Sequence, residues 1–443
     1  MCGFIITNQN SISEITNKYI KNRGPDLVNT TVTGNITVVH SLLSITGETT
    51  PQPFYNDSKD VICTFNGEIY NYNSFGNYKS DGHCIVDVYQ KFGDSFASQL
   101  DGEFAIAIVN ESKKELLVAT DVFATKPLWL GIKNTNQFMV CSYESGLIAN
   151  DYEQRYKINA NKTIVFCLND MTVKSAFDNR TFDLNQHKDS YEDWCAAFER
   201  AVLKRANLQG EKCFIGLSSG YDSGAIACIL NKNNLEYTAY SILGAESEEI
   251  LNKRAKSVKN FCEVKVDKES FSNEKEFLKR ECEDFKINGK STARNDKASA
   301  GLSQICRLAN KEKTRIYLSG QGADEIISDY GFNGRRFYDH SQFGGLFPED
   351  LSQIFPWRSF FGGTQYKYIN KEECVAGSHG IEARYPFLDF DVVQEFLWLK
   401  RDLKNKVYKA PLDYLLQKHN FPYEKNKKIG FRPNHLFKKG VNK

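Results

Sequence analysis

Cys2 follows Met1 directly and is itself followed by Gly3-Phe4, so removal of Met1 would leave a thiol and a free α-amino group on one residue. A free α-amine titrates near pH ~8, close to a thiol, and the two can serve as nucleophile and proton acceptor without a histidine. A second candidate lies far down the chain. The run Leu217-Ser218-Ser219-Gly220-Tyr221-Asp222-Ser223-Gly224 offers small residues whose backbone N–H groups can converge on a phosphate where a helix begins. Taken singly, each has a plainer reading: a small second residue accompanies Met1 removal in many chains, and Ser and Asp are ordinary helix caps.

Those residues need elements to hold them. Over residues 1–180, short apolar or alternating runs at 36–39, 61–65, 105–109, 115–119 and 163–168 are broken by Gly, Asn and Asp, which predicts a β-rich domain. One helix is expected inside it, over 83–92, where Ile85, Val88, Tyr89 and Phe92 recur at helical spacing. Residues 178–190 lack apolar periodicity and read as a linker, so the domains are placed at 1–180 and 190–443. After the linker come a helix over 191–207, an apolar run at 213–217, the Gly/Ser turn, a helix over 224–230 and a strand over 237–243. This β-turn-α-β order predicts a parallel sheet with crossover helices. A second strand-turn unit at 315–318 runs into Ser319-Gly320-Gln321-Gly322. Loops after the carboxyl ends of parallel strands are where such sheets bind nucleotides.

Composition narrows the function classes. The 443 residues are 41% hydrophobic and 25% charged with a net charge of +2, which fits a soluble globular protein and gives no support to nucleic-acid binding. No basic n-region or apolar h-region opens the chain, and no run approaches the ~18 apolar residues of a membrane span, so a cytoplasmic location without a membrane partner is expected. The 12 cysteines are scattered singly, with no C-x-x-C pair and no metal-ligand spacing to the seven histidines, which argues for reduced thiols and against zinc. The 31 Phe and 22 Tyr read as core, because no basic residues interleave with them as in a base-stacking surface.

Together, Cys2 and the Ser/Gly turn make the chain resemble the glutamine-dependent asparagine synthetase family over nearly its whole length. In the first half the family-like pieces are Met1-Cys2-Gly3-Phe4, Arg23-Gly24-Pro25-Asp26, His40 with Leu43-Ser44-Ile45, Gln52-Pro53, Asn66-Gly67-Glu68-Ile69-Tyr70-Asn71, Asp81-Gly82, Asp101-Gly102-Glu103-Phe104-Ala105 and Lys126-Pro127-Leu128. The second half adds Ser319-Gly320-Gln321-Gly322-Ala323-Asp324-Glu325, the block from Gly380 to Asp389, Tyr408-Lys409-Ala410 and Lys428-Ile429-Gly430-Phe431. The resemblance implies a two-domain α/β protein. Its first domain would be an αββα sandwich of the N-terminal-nucleophile type, a class II glutamine amidotransferase. Its second would be a parallel α/β sheet with an ATP-pyrophosphatase loop.

The resemblance also implies roles. Cys2 Sγ attacks the glutamine side-chain amide, the Asn66 side chain and Gly67 N–H form the oxyanion hole, and Arg23, Glu68 and Asp81 join them in holding glutamine. Residues Ser218, Ser219, Gly220, Tyr221, Asp222 and Ser223, with Ser319 and Gly320, cradle ATP, while Leu217 and Ile242 contribute backbone contacts to adenine. Asp222 and Asp324 hold Mg²⁺, Lys409 neutralises charge on the phosphates, and Gln321 stands where the acceptor is activated. ATP, glutamine and a carboxylate, aspartate first, are the implied substrates. A homodimer is the oligomeric state entertained. Other readings are amidation of a sugar acid or biosynthetic intermediate, intramolecular amide formation of the β-lactam or lasso-peptide kind, and a non-catalytic binding protein.

Several positions depart from the family pattern. Leu42 replaces an Arg that grips the glutamine α-carboxylate, and Thr120 and Ala124 replace an Arg and a Gly. Ser219 replaces the first loop Gly, Gly224 replaces the Ser after Asp-Ser, and Gln321 replaces a Glu. Gln keeps the shape and hydrogen bonding of Glu without its charge.

Overall fold

Alternate residues of the strand Gly102–Asn110 face two different cores. Phe104, Ile106 and Ile108 pack into one, and Ala105, Ala107 and Val109 into the other. An isolated alternating pattern would show one polar face; this strand is apolar on both because both faces are covered. A computed structural model describes residues 2–9, 11–13, 17–206, 210–243, 246–287 and 290–428. Of the motif Lys428-Ile429-Gly430-Phe431, only Lys428 lies among them.

The chain divides into two units, the first made of Met1–Thr181 with Glu281–Asp284 and Glu373–Glu382. This unit holds two six-stranded sheets. In one, Gly3–Thr7 lies between Gln137–Cys141 and Ile36–Leu42, antiparallel to both. In the other, Val61–Ile69 pairs with Gly102–Asn110, which pairs in turn with Glu115–Thr120. Phe4, Ile6, Val38, Leu130 and Val140 of the first sheet meet Ile62, Ala105, Val109 and Val118 of the second, so the sheets stack face to face. Helix Cys84–Phe92 covers the outer face of the second sheet through Ile85, Val88 and Tyr89. Helices Asn17–Arg23 and Glu144–Ala149 pack on the first. Helix, sheet, sheet and helix form the αββα sandwich.

The second unit is Phe182–Arg280, Phe285–Glu372 and Ala383–Lys443. It opens with the helix Glu192–Ala206, whose Trp194, Ala197, Phe198, Ala201 and Val202 form one buried stripe. Its main sheet has five strands in the spatial order Asn260–Glu263, Tyr237–Ser241, Cys213–Gly216, Ile316–Leu318, Glu382–Arg384. Cys213–Gly216 pairs in parallel with Tyr237–Ser241 on one side and Ile316–Leu318 on the other. From Cys213–Gly216 the chain moves outward through Tyr237–Ser241 to Asn260–Glu263 and then returns to the opposite side at Ile316–Leu318. The crossovers therefore diverge between the first and last of these, and sheets of this kind bind ligands outside the carboxyl ends of the strands at such a point. The loops starting at Leu217 and Ser319 both leave from that point.

None of the 12 cysteines is in a disulfide; ten are buried, and Cys167 and Cys262 are half-buried. Among the described residues no helix is long and apolar enough to cross a membrane. Many of the aromatics are core: Phe182 stacks on Phe390 with centroids 4.9 Å apart and meets Phe360 edge-on at 5.4 Å.

Candidate active sites

In the first unit Cys2 precedes the central strand Gly3–Thr7 and is 5% exposed. Its backbone N donates to Asn66 Oδ1 at 2.9 Å. That bond decides the orientation of the Asn66 amide, because only its oxygen can accept. Asn66 Nδ2 consequently faces away, fully buried and without a partner among the described residues. A buried donor left unmatched costs about 1–3 kcal/mol, so it is suited to an oxygen that arrives with a ligand. Gly67 follows at φ +146°, where an ideal Cβ would lie 1.9 Å from Glu103 O, and only glycine fits.

Cys2, Leu42, Gly67, Glu68, Asp81 and Glu382 are among the residues that line one pocket. Asp81 begins a short 3₁₀ turn and accepts Ile69 N–H at 2.9 Å. Among the described residues lining the pocket none is basic. Burial is the main reason the Cys2 thiol is pushed up to about 11, so it is a protonated thiol at neutral pH and needs a proton acceptor to react.

Arg23, expected among the glutamine-binding residues, takes a different place. Its side chain is wholly buried: Nε donates to Cys2 O at 2.9 Å, Nη1 to Tyr143 Oη at 2.6 Å, and Nη2 to Glu373 Oε2 at 2.9 Å. It braces the backbone of Cys2 and is not itself among the described residues lining the pocket. Glu373 also meets Lys126 Nζ at 3.2 Å, and Lys126 meets Glu103 at 3.2 Å. Burial opposes the charge on Lys126, but Glu373 and Glu103 outweigh it and hold the ammonium above its ordinary range. Glu103 and Lys126 lie in family-like segments without a site role implied for them, whereas Tyr143 and Glu373 belong to no such segment and come from distant parts of the chain.

The departures at Thr120 and Ala124 have local accounts. Thr120 Oγ1 donates to Asn159 O at 2.6 Å. Ala124 keeps a left-handed φ of +48° in the turn organised by Asp121, which accepts Thr125 N and Oγ1 at 3.0 and 2.8 Å. The backbone thus retains a glycine-type conformation at a cost of about 1–2 kcal/mol.

In the second unit the Ser/Gly turn joins Cys213–Gly216 to the helix Tyr221–Lys232, with Gly220 at its N-cap. Ser218 N donates to Ser223 Oγ at 3.0 Å, and Gly220 N to Ser218 Oγ at 3.2 Å. Ser219 N and Oγ both donate to Glu246 Oε2 at 2.6 Å, so this turn already receives an anionic oxygen. Ser219 is not one of the non-glycine residues with positive φ.

Arg254, buried on the helix Glu248–Ser257, donates to Ser218 O and to Gly220 O, the latter at 2.9 Å. A Cβ on Gly224 would lie 2.2 Å from Arg254 Nη2, which explains glycine at a position the family fills with serine. Leu217 N is spent on Tyr240 O at 2.8 Å, and Ile242 is buried just beyond the neighbouring strand. The Tyr221 ring turns away into the core, with its hydroxyl 3.3 Å from Asp413 Oδ1 and accepting Asn426 N–H at 3.0 Å. Only its backbone belongs to the loop.

Four charges converge beside this loop. Lys409 Nζ, 1% exposed, pairs with Asp222 Oδ1 and, at 2.8 Å, with Asp324 Oδ1. Lys428 Nζ pairs with Asp324 Oδ2, and Tyr408 Oη donates to Asp324 Oδ1 at 3.1 Å. Lys409 is a non-glycine residue at φ +51°, ψ +50°, capping the helix Ala410–Lys418, and strain of this kind gathers at functional positions. Burial disfavours both carboxylates; it prevails at Asp222, which is raised, whereas Lys409 and Lys428 hold Asp324 well below the usual range. Ser319 and Gln321 meet Glu372, with Ser319 Oγ donating to Oε2 at 2.6 Å. Lys428 and Glu372 are further residues that the motif pattern did not mark as site residues.

Both carboxylates of Asp222 and Asp324 touch one ammonium, so they lie within reach of a single cation. Hard oxygen donors suit Mg²⁺. Among the described residues no group of three or more His, Cys, Asp or Glu could hold a metal, so further ligands would have to come from phosphate and water, as Mg²⁺ prefers.

An αββα sandwich with Cys2 just before its central strand, joined in one chain to a parallel sheet with a phosphate-type loop at its switch point, defines an N-terminal-nucleophile amidotransferase coupled to an ATP-pyrophosphatase fold. Residues 1–181 match the family described as glutamine amidotransferase domain, and residues 194–367 the family described as asparagine synthase. The chain belongs to the glutamine-dependent asparagine synthetase family. It is 27% identical over 396 residues to a putative glutamine-hydrolysing asparagine synthetase 1 of Methanocaldococcus jannaschii, covering 82% of this chain and 69% of the relative. It is 24% identical over 488 residues to asparagine synthetase 2 of Oryza sativa subsp. japonica, covering all of this chain and 77% of the relative. Among solved structures, the allosteric regulatory enzyme of purine biosynthesis aligns at 11% identity and a TM-score of 0.33, covering 59% of this chain and 80% of that one.

Proposed function

We propose that the protein is a glutamine-hydrolysing, ATP-dependent amide ligase with aspartate as its first-choice acceptor. The observation that carries this reading is one chain holding both a Cys2 whose nitrogen is bonded to Asn66 and a phosphate-type loop beside Asp222, Asp324 and Lys409.

In the first reaction Cys2 Sγ attacks the side-chain amide carbon of glutamine, and the thiol proton passes to the Cys2 α-amine freed by loss of Met1. The oxyanion formed is stabilised by Asn66 Nδ2 and Gly67 N–H, single donors of this kind being worth roughly 3 kcal/mol. The α-amine returns its proton to the departing nitrogen, ammonia leaves, and water cleaves the thioester to glutamate. Glu68 and Asp81 supply the negative charge in the pocket that would meet the substrate α-ammonium.

In the second reaction the acceptor carboxylate attacks the α-phosphorus of ATP, pyrophosphate leaves, and ammonia displaces AMP from the acyl-adenylate. Ser218 to Ser223 orient the phosphates, and Lys409 and Lys428 offset their charge. Mg²⁺ held by Asp222 and Asp324 would draw electron density from the phosphate oxygens as pyrophosphate departs. Gln321 favours a second reading, in which the acceptor is a carboxylate other than aspartate, because the family's charge is missing at that position.

The test is ATP–pyrophosphate exchange by the purified full-length chain with Mg²⁺ across a panel of carboxylates that includes aspartate. Exchange with one acid, followed by equal yields of AMP, glutamate and amide when glutamine is added, is expected. Exchange with no member of the panel would overturn the ligase reading, and exchange only with another acid would select the second acceptor.

A further inference from the structure

Gln321 brings no charge to the loop after Ile316–Leu318, yet a buried carboxylate reaches it from elsewhere. Glu372, on the helix Gly363–Gly377 and 6% exposed, accepts Ser319 Oγ at 2.6 Å and Gln321 Nε2 at 3.1 Å, one on each oxygen. Gln321 N donates to Ser319 Oγ at 3.1 Å and closes the ring. An ionised carboxylate only accepts, so the Gln321 amide must turn its nitrogen to Glu372 and its oxygen the other way. Gln321 is half-buried, and its oxygen can therefore meet a substrate. The loop lies against the phosphate-type turn: a Cβ on Gly320 would come 3.0 Å from Asp222 Cβ.

Burying a carboxylate costs several kcal/mol even after relaxation, and a structural tie between a helix and a loop could be made with neutral groups. On the ligase reading of this site, we propose that Glu372 is a positioning residue for amide formation. It holds Gln321 with Oε1 toward the acyl carbon, where that oxygen accepts an N–H of the attacking ammonia. The carboxylate behind the amide steadies the positive charge that develops on nitrogen. In this step the nitrogen lone pair forms the C–N bond, the C–O bond to AMP breaks with its electron pair leaving on the AMP phosphate, and the surplus N–H proton goes to water. Charge that the family carries at position 321 is thus supplied from position 372.

The experiment measures ammonia-dependent AMP formation by the full chain, with MgATP and the acceptor identified by exchange, for Glu372→Gln, Gln321→Glu and the double exchange. Glu372→Gln is expected to lower kcat about 100-fold, with the KM for ATP and glutamine hydrolysis within about twofold of wild type. Gln321→Glu sets two carboxylates against each other and should lose as much at pH 8, recovering toward pH 6 as one of them binds a proton. In the double variant amide and carboxylate have changed places, and kcat should return to within about tenfold of wild type. A Glu372→Gln enzyme within threefold of wild type overturns the inference while leaving the ligase reading standing. So does a well-folded double variant no better than Glu372→Gln, which is the behaviour of a purely structural tie. Wild-type protein that forms no AMP with any carboxylate removes the ligase reading and this inference with it.

Discussion

Beneath Cys2, the charges of Arg23, Lys126, Glu103 and Glu373 are satisfied by one another, while the Cys2 thiol contacts the Leu43 carbonyl and the Cys2 nitrogen is bonded to the neutral Asn66 amide. Beside the Ser218–Ser223 turn the arrangement is reversed: Lys409, Lys428, Asp222 and Asp324 meet where the ligand would lie. The two regions suit different substrates. A carboxamide is uncharged, and its attack needs one fixed donor for an oxygen that becomes negative in the transition state. A polyphosphate arrives with several negative charges, and cations that already have carboxylate partners can be shared with it at little reorganisation.

Replacing the nucleophile should break this pairing most severely. Cys2→Ala is expected to lower glutamine-dependent AMP formation by at least about 10⁴-fold while ammonia-dependent formation continues. Equal loss with both nitrogen donors would show that Cys2 supports the fold more than the chemistry.

The buried charges come next. Glu373→Ala leaves Arg23 and Lys126 short of a carboxylate in a dry environment, and an unfolding free energy lower by about 3–5 kcal/mol is expected. Denaturant titration of the full chain measures it. A loss below about 1 kcal/mol, typical of exposed pairs, would mean that water reaches this network.

At the other site, Lys409→Met should reduce kcat for AMP formation by roughly 10²–10³-fold with glutamine hydrolysis unchanged. Similar activity in that variant would assign charge neutralisation to Lys428. The pH dependence of glutamine hydrolysis separates the regions further. With the thiol pushed up to about 11 by burial, activity should follow deprotonation of the α-amine and fall about tenfold per pH unit below ~8. A limb that tracks the thiol near 11 instead would remove the amine from its role.

Much of the scaffold could be read along the chain because it rests on local periodicity. The helix over Cys84–Phe92 follows Ile85, Val88 and Tyr89, and the order of strand, turn and helix around Ser218 marks the parallel sheet. The helix expected from Gly224 begins three residues earlier, at Tyr221, because Gly220 caps it and the polar first turn has no apolar signal. Residues recognised through motifs, such as Asn66 and Asp81, lie in short segments with their own pattern. Several of the partners that brace them do not. Glu373 reaches Arg23 across 350 positions, Glu372 reaches Gln321 across 51, and Arg254 reaches Gly220 across 34. Such partners are set by packing of whole elements, and spacing within one element is silent about them. Arg23 shows the limit of a motif: the segment is legible in the sequence, but the contacts of its guanidinium to Cys2, Tyr143 and Glu373 are set by packing.

The smallest expected effect concerns how far the first pocket lacks a cation. Leu42, at the end of the strand Ile36–Leu42, lines that pocket and is 7% exposed. Glu48, another lining residue, is paired with Lys79 at 3.4 Å, both side chains largely exposed, so that lysine is a weakly held rim cation. Among the described lining residues a glutamine α-carboxylate therefore has no bidentate cationic partner. Leu42→Arg should supply one and lower the KM for glutamine about tenfold, the worth of one charge-assisted contact. Glutaminamide, which lacks the carboxylate, should gain nothing. Measuring both substrates with wild type and variant separates recognition from repacking: a parallel change in the two KM values would mean that Leu42→Arg only reshaped the pocket. If wild type already prefers glutamine over glutaminamide by more than about 100-fold, some other group grips the carboxylate, and the contrast between a cation-poor first site and a cation-rich second one loses its basis.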